Sequence, residues 1–340
     1  MTAGSRKSRF TALLSRHAAA LAYVFSVILP LILRTGRRPV IFSRGTGLGD
    51  IICTIPAARQ LMQRHPGATF IYNCHHDFIA VPRLAGIADC ITSLEPIGLV
   101  GHWFRFLLAG FYHFSHGDDT SGKVAQEPMV AEFLRQFHLP VTYEHPHLTA
   151  GLVAREKVNT LLARKNLDVT SLVLIHPGPS WMVKEWPLEN WTRLVAALRE
   201  NGFTAVAQLG VSRYMNVGKV EVPGIPGAVS LMDAFTIEES LAAIAQAKLF
   251  VGIDSGLLHI AASTSTPAVG IFGPTSPQFF YAESATRNFA ISRVECAGCQ
   301  HRLPRLHWIT GCPYDIKCMK TLGVDEVLRA CLATFESAVK

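Results

Sequence analysis

The chain has 340 residues, 49% of them hydrophobic and 17% charged, which excludes wholesale disorder and leaves enough apolar surface for two ordinary domains. Its formal charge of +7 sits in one place: residues 1–38 hold Arg6, Lys7, Arg9, Arg16, Arg34, Arg37 and Arg38 and no acidic residue, leaving 25 basic against 25 acidic side chains elsewhere. A formally neutral body argues against a nucleic-acid partner, which needs a basic face on the folded domain, and the basic end points instead to an anionic membrane surface.

Residues 1–38 read as a basic and apolar membrane-associating segment. Between its flanks, Ala18–Leu33 carries no charge. As a helix that stretch is about 24 Å long, short of the roughly 30 Å hydrocarbon core. No small-residue cleavage site follows it. The expectation is an interfacial or partly inserted anchor; the alternative is a soluble helix packed on the next domain. Because the segment ends before the first expected strand, its removal is expected to release the protein from membranes and leave the fold intact.

Val40–Ser43 reads as a strand, Gly45–Gly49 as a loop and Ile51–Arg64 as a helix with one apolar face. Thr69–Asn73 is a second strand, led in by Pro66-Gly67. Residues 77–115 lack clear periodicity and read as short helices with one strand near Cys90–Leu94. Gly117–Gly122 is a polar loop, Pro128–Phe137 a helix, and His138–Gly151 the interdomain linker. In the second half, Leu172–His176, Thr204–Leu209, Leu249–Ile253 and Ala268–Phe272 read as strands. Leu188–Arg199 and Gly256–Ser263 read as helices, as does a segment opened by the capping box Thr236-Ile-Glu-Glu239 and running to Ala247. Val324–Val339 is a terminal helix. Strands alternating with helices imply right-handed crossovers and parallel sheets, hence an α/β fold. The expected domains are 39–150 and 151–340.

Two loops of the second half belong together: His176-Pro-Gly-Pro-Ser180-Trp-Met-Val-Lys184-Glu-Trp186 and Gly252-Ile-Asp254-Ser255-Gly256-Leu257-Leu-His259. Each joins a buried-strand pattern to a helix, where free backbone N–H groups and the positive end of the helix dipole face one point. Lys184 adds a mobile positive charge suited to phosphate. Two such loops suggest a nucleotide diphosphate at the carboxyl ends of a parallel sheet. Read singly, Asp254 is a helix cap, Lys184 a solvated lysine and His259 an interior histidine. In the first half, Gly45-Thr-Gly47-Leu-Gly49-Asp50 is neither a dinucleotide fingerprint nor a P-loop. Its glycines let backbone approach a substrate closely, and Asp50 is at least favourable charge at a helix start. Cys296-x2-Cys299-x12-Cys312-x5-Cys318 fits a structural zinc or iron site, or four free thiols.

In order along roughly residues 39–330, the loop ending in Gly49-Asp50, the Lys184-x-Trp186-Pro segment and the Asp254-Ser-Gly-x-x-His259 segment resemble family 9 glycosyltransferases, the lipopolysaccharide heptosyltransferases. The resemblance implies two Rossmann-like domains facing across a cleft (the GT-B type). It implies an inverting transfer of heptose from a nucleotide-diphosphate donor, ADP-linked, to a lipid-linked saccharide at the cytoplasmic face of the bacterial inner membrane. It makes Asp50 the general base and Lys184 the contact to the leaving diphosphate. Ser180, Asp254, Ser255, Gly256, Leu257 and His259 then hold the donor, and Gly47 and Gly49 border the acceptor. Helix ends and Lys184 carry the charge development, so catalysis requires no cofactor. Some members hold metal with cysteines placed like these four. The chain departs from the family at Gln208–Arg213, where no glutamate stands in 211–219, which leaves the donor nucleotide open. The competing readings are a sugar-nucleotide epimerase on the same architecture and a non-catalytic, metal-stabilised interaction module.

Overall fold

The computed structural model describes residues 3–115, 127–178, 182–214, 220–279, 287–301 and 312–339. The expected polar loop Gly117–Gly122 lies outside them. The chain falls into two compact units, one of residues 1–115 and 133–140, the other of 116–132 and 141–340. Each is an α/β unit with an all-parallel main sheet, so both Rossmann-like domains read from the sequence are present.

Unit 1 has four strands, β1 (Val40–Ser43), β2 (Phe70–Asn73), β3 (Cys90–Thr92) and β4 (Gly110–His113), in the order β3-β2-β1-β4. All four residues of β1 are buried, as expected of a central parallel strand covered on both faces. Phe42 of β1 packs against the rings of Phe70, Tyr72, Tyr112 and Phe114. The helix after β1 spans Leu48–Arg64 and so takes in Asp50 as its third residue, where the sequence suggested a start at Ile51. The strand β4 was not expected; it pairs with β1 from Val40↔Gly110 to Ser43↔His113.

The N-terminal segment is longer and better docked than its uncharged stretch implied. It is helical over Ala3–Tyr23, makes one π turn at Val24–Ile28, and continues over Leu29–Thr35 to Gly36, whose left-handed backbone closes it. Thr11–Thr35 is long and apolar enough to cross a membrane. Yet Ala20, Tyr23, Val24, Ile28 and Leu31 are buried with Ile41, Ile71, Ile97, Val100 and Leu108 of unit 1. The Tyr23 hydroxyl also shares a 3.0 Å hydrogen bond with Thr92 Oγ1.

Unit 2 holds β5 (Leu172–His176), β6 (Ala205–Gly210), a short antiparallel ribbon of β7 (Arg213–Tyr214) and β8 (Val220–Glu221), then β9 (Val229–Met232), β10 (Leu249–Ile253), β11 (Ala268–Phe272) and β12 (Arg287–Ile291). The six-stranded sheet runs β12-β11-β10-β5-β6-β9. Its central strands are wholly buried, and Val173, Ile175, Val251, Ile253 and Val269 pack with Trp191, Leu194 and Leu198 of the helix Leu188–Glu200. The Thr236 capping box is formed, with Thr236 Oγ1 accepting from Glu239 N–H and the Glu239 carboxylate from Thr236 N–H.

In both sheets the chain builds outward in one direction and then returns to build the other way. The reversal falls between β1 and β4 in unit 1 and between β5 and β10 in unit 2. Connections that leave in opposite directions open a crevice at the carboxyl ends of those strands, the usual ligand position in open α/β sheets.

The buried helix face predicts that deleting residues 1–38 destabilises the protein, contrary to the sequence expectation. Each large apolar side chain withdrawn from burial is worth about 1.5–3 kcal/mol. Thermal melting of the truncated chain should show a loss of several kcal/mol in unit 1; unchanged melting would mean that the helix is not part of the fold.

Candidate functional site

The crevice of unit 2 is lined from both sides by the loops singled out in the sequence. The loop after β5 passes Gly178 and re-enters the described residues at the 3₁₀ turn Met182–Lys184; Ser180 and Trp181 lie outside them. Trp186 seats this loop, its indole N–H donating to Leu322 O at 2.9 Å and its ring meeting Trp191 edge-on at 5.2 Å. Lys184 is thereby aimed at the end of β10, where its Nζ donates to Asp254 Oδ2 at 2.7 Å. The pair is withdrawn from solvent, with Asp254 3% exposed. Burial alone would push the Asp254 carboxyl up; the Lys184 ammonium, assisted by His259, more than offsets it and holds the group below the usual carboxylate range.

Ser255 leads the helix Gly256–Ala262 in extended backbone, with no side-chain cap. The first amides of a helix, here those of Gly256 and Leu257, have no carbonyl partner within it. His259 is buried one turn in, and its Nδ1 lies 3.1 Å from Nε2 of His145, whose ring stacks on it at 5.3 Å. His145 falls in the segment read as a linker, and no local pattern marked it.

At the base of the crevice, His176 is buried and its Nδ1–H donates to Leu209 O at 2.9 Å, which fixes the tautomer. Burial lowers its pKa from the usual 6.5 to about 4, only partly countered by that hydrogen bond. Gly210, at the end of β6, has φ +133°, and a Cβ there would lie 2.9 Å from His176 Nδ1. Only glycine fits both the conformation and the contact. Gln208, where the chain departs from the family pattern, is buried and structural: its amide donates to Pro223 O and accepts from Ile225 N–H.

The crevice of unit 1 brings Gly47, Gly49 and Asp50 together. Gly47 precedes the helix with φ +84°, and a Cβ there would lie 2.7 Å from the Asp50 carboxylate, which folds back over this residue. Asp50 accepts a hydrogen bond from Arg44 within an ion pair. Arg44 is buried, donates to Phe114 O at 3.2 Å and lies over the ring of Phe133. Arg44 directly precedes the Gly45–Asp50 motif; its partners are the loop after β4 and a helix more than eighty residues away, so only the fold reveals it. His113, the last residue of β4, lies 3.3 Å from Ser43 Oγ on β1.

The four late cysteines converge in unit 2. Cys296 and Cys299 flank a tight turn with Gly298 at φ +69°, while Cys318 begins its short helix one residue in. Cys318 is buried, and burial followed by the neighbouring Cys296, Cys299 and Cys312 pushes its thiol up to about 12. The four thiols are a soft donor set of the chemical type that zinc or iron takes, but their sulfur atoms are not gathered within 4.8 Å of one another as ligands of one ion would be.

Each Rossmann-like unit thus presents a charged group at its switch point, the Lys184–Asp254 pair in one and a glycine-lined aspartate in the other. Residues 111–309 match glycosyltransferase family 9 (heptosyltransferase), and the chain belongs to that family. It is therefore a glycosyltransferase rather than an epimerase or a non-catalytic module. It is 23% identical over 308 residues to lipopolysaccharide heptosyltransferase 1 of Pseudomonas aeruginosa, covering 76% of this chain and 85% of that one. In fold it is similar to the ADP-heptose lipopolysaccharide heptosyltransferase II of Escherichia coli, with a TM-score of 0.63 at 16% identity over 88% of this chain and all of that one. The iron-containing dodecameric glycosyltransferase TibC from enterotoxigenic E. coli superposes with a TM-score of 0.64 at 18% identity over 89% of this chain and 77% of that one.

The buried neutral His176 predicts an acid-sensitive stability. Between pH 6.5 and about 4 the unfolded chain binds a proton that the folded one refuses, so stability falls as pH falls through that window. At 1.36 kcal/mol per unit the full effect is about 3 kcal/mol. His176→Asn, which does not titrate, should flatten this limb in denaturant melts taken across the window; an unchanged slope would mean that other groups set it.

Proposed function

We propose that this enzyme transfers heptose from ADP-heptose to a lipid-linked saccharide of the lipopolysaccharide core, with inversion, at the cytoplasmic face of the bacterial inner membrane. The observation that carries the reading is the buried Lys184–Asp254 pair at the switch point between β5 and β10. A cation aimed into a crevice beside a helix start has the charge and position to take a diphosphate.

In this reading the donor lies on unit 2. Its diphosphate meets the amides of Ser255, Gly256 and Leu257 and the Lys184 ammonium, with Ser180, Asp254 and His259 bordering it. The acceptor approaches the Gly47–Gly49 loop. Asp50 takes the proton of the acceptor hydroxyl as its oxygen attacks the anomeric carbon, and the bond from that carbon to the diphosphate oxygen breaks. ADP leaves with its added negative charge held by Lys184 and the helix amides, an electrostatic task they perform without reorganisation. The Arg44 ion pair orients the Asp50 carboxylate beside the Gly47–Gly49 loop. Cys296, Cys299, Cys312 and Cys318 would hold zinc or iron as a fold-stabilising group, and no catalytic step runs through it.

Turnover of ADP-heptose with a truncated lipopolysaccharide acceptor, beside a panel of other nucleotide sugars, tests the assignment; turnover of a different donor in that panel, and not of ADP-heptose, would overturn the donor choice. Asp50→Asn should leave donor affinity within about twofold of wild type and abolish transfer, and full activity in this variant would reduce Asp50 to a helix-start charge. Lys184→Ala should weaken ADP binding by about 1.5–3 kcal/mol, the worth of a hydrogen bond to a charged group. Calorimetry showing unchanged affinity would remove the proposed donor site.

The cysteine site predicts about one zinc or iron ion per chain by elemental analysis, with metal and melting temperature lost together in a Cys296→Ser/Cys299→Ser variant. Metal-free protein with four titratable thiols and normal melting would reject it.

A further inference from the structure

The N-terminal helix has two apolar faces, and the fold uses one. Its inner face, Ala20, Tyr23, Val24, Ile28 and Leu31, is packed on unit 1. Its outer face presents Leu14, Leu21 and Phe25 to solvent, and Leu33 beyond them, with Phe25 63% and Leu33 84% exposed. Leu14, Leu21 and Phe25 follow the i, i+7, i+11 spacing of one helical stripe. Eight residues then separate Phe25 from Leu33, two full turns only because one of them is the wider π turn at Val24–Ile28. The π turn thus keeps the outer stripe in line while the inner stripe stays on the sheet. A helix docked on a water-soluble domain ordinarily turns polar side chains outward; from Ala18 to Leu33 this one has no charge on any side.

The neighbouring surface continues the pattern. The helix Ile97–Trp103 lies against the N-terminal helix, and its last residue, Trp103, is 58% exposed with its ring 6.4 Å from that of His17. Phe106, in the next turn, is exposed as well. Exposed aromatics beside an apolar stripe are the composition of a headgroup-level anchor. Arg16, Arg34, Arg37 and Arg38 stand exposed at the ends of the stripe, and the chain's first acidic residue is Asp50.

We propose that the helix lies flat in an anionic lipid surface, its outer stripe and Trp103 buried at the headgroup boundary and its inner face still on unit 1, so that it does not cross the bilayer. Spanning would require the helix to leave Ile41, Ile71, Ile97 and the Tyr23–Thr92 hydrogen bond, or would carry unit 1 into hydrocarbon. Pairing with a second copy through the same stripe would set two uncompensated basic segments against each other, an arrangement that like charges oppose. Anionic lipid instead rewards each arginine near the surface and the buried apolar area together. The proposal adds to the reading above the manner in which the enzyme meets the surface that bears its acceptor, and its test needs neither donor nor acceptor.

The test is co-flotation of the full chain with vesicles of phosphatidylcholine alone or with phosphatidylglycerol. Binding should require the anionic lipid, weaken with added salt, and fall at least tenfold in Leu21→Glu/Phe25→Glu with melting unchanged. Should that variant not fold, Leu33→Glu, at the exposed end of the stripe, carries the same expectation. Brominated lipid should quench a fraction of the tryptophan fluorescence, and Trp103→Phe should abolish that fraction. A protease site placed before Ser5 should remain cleavable from the side of the vesicle to which the protein was added. Protection of that site, undiminished binding in the glutamate variants, or a lipid-free dimer that they dissociate would each overturn the proposal. Transfer to a soluble, delipidated acceptor should be unaffected by the same substitutions; its failure in wild type would count against the enzymatic reading and not against this one.

Discussion

Right-handed crossovers constrain this molecule more than any single contact. A parallel sheet that grows first one way and then the other must hold a pair of neighbouring loops apart at the point of reversal. In unit 1 that point is β1 against β4, and in unit 2 it is β5 against β10. The charged pairs of the two crevices and their neighbours hang from these four strand ends: Arg44, Gly47 and Asp50 after β1, Phe114 after β4, Lys184 after β5, and Asp254 after β10. The buried apolar runs of β1, β5 and β10 hold the strand ends rigid, and the glycines let the loops turn sharply there. Function is thereby attached to the stiffest region of each unit.

At both reversals charge is stored as a pair. Lys184 is paired with Asp254, and Arg44 with Asp50. A buried ammonium or carboxylate left alone would cost several kcal/mol, so the partner is what allows the group to exist there. The pairs differ in surroundings. Asp254 is enclosed and sits beside His259, itself bonded to His145, whereas the Asp50 side chain is 26% exposed. An enclosed pair keeps its geometry, and a half-open one is accessible to a reacting group.

The strands with uninterrupted apolar runs were legible, and Leu172–His176, Leu249–Ile253 and Ala268–Phe272 have the bounds read from the sequence. So was the helix announced by Thr236 and Glu239, because a capping box is a local code. The strand β4 was not, since Gly110-Phe-Tyr-His113 has neither alternation nor a β-branched residue, and its place is set by β1. The edge strand β9 was hidden for a related reason: Val229–Met232 is only partly buried and takes its register from β6. In the sites, the motifs gave Lys184, Asp254 and Asp50 through spacing along the chain. Arg44 and His145 escaped because their partners are non-local. The length of the N-terminal helix was underestimated because charge was taken as its boundary, whereas Arg16 and Arg34 sit within it.

The packing of that helix has a consequence for how the protein is made. Synthesis delivers the helix first, while the residues that cover its inner face, from Ile41 to Leu108, emerge later. At roughly 5–20 residues per second the interval is on the order of ten seconds. Until they emerge, the inner face of the helix lacks the residues that cover it in the folded chain.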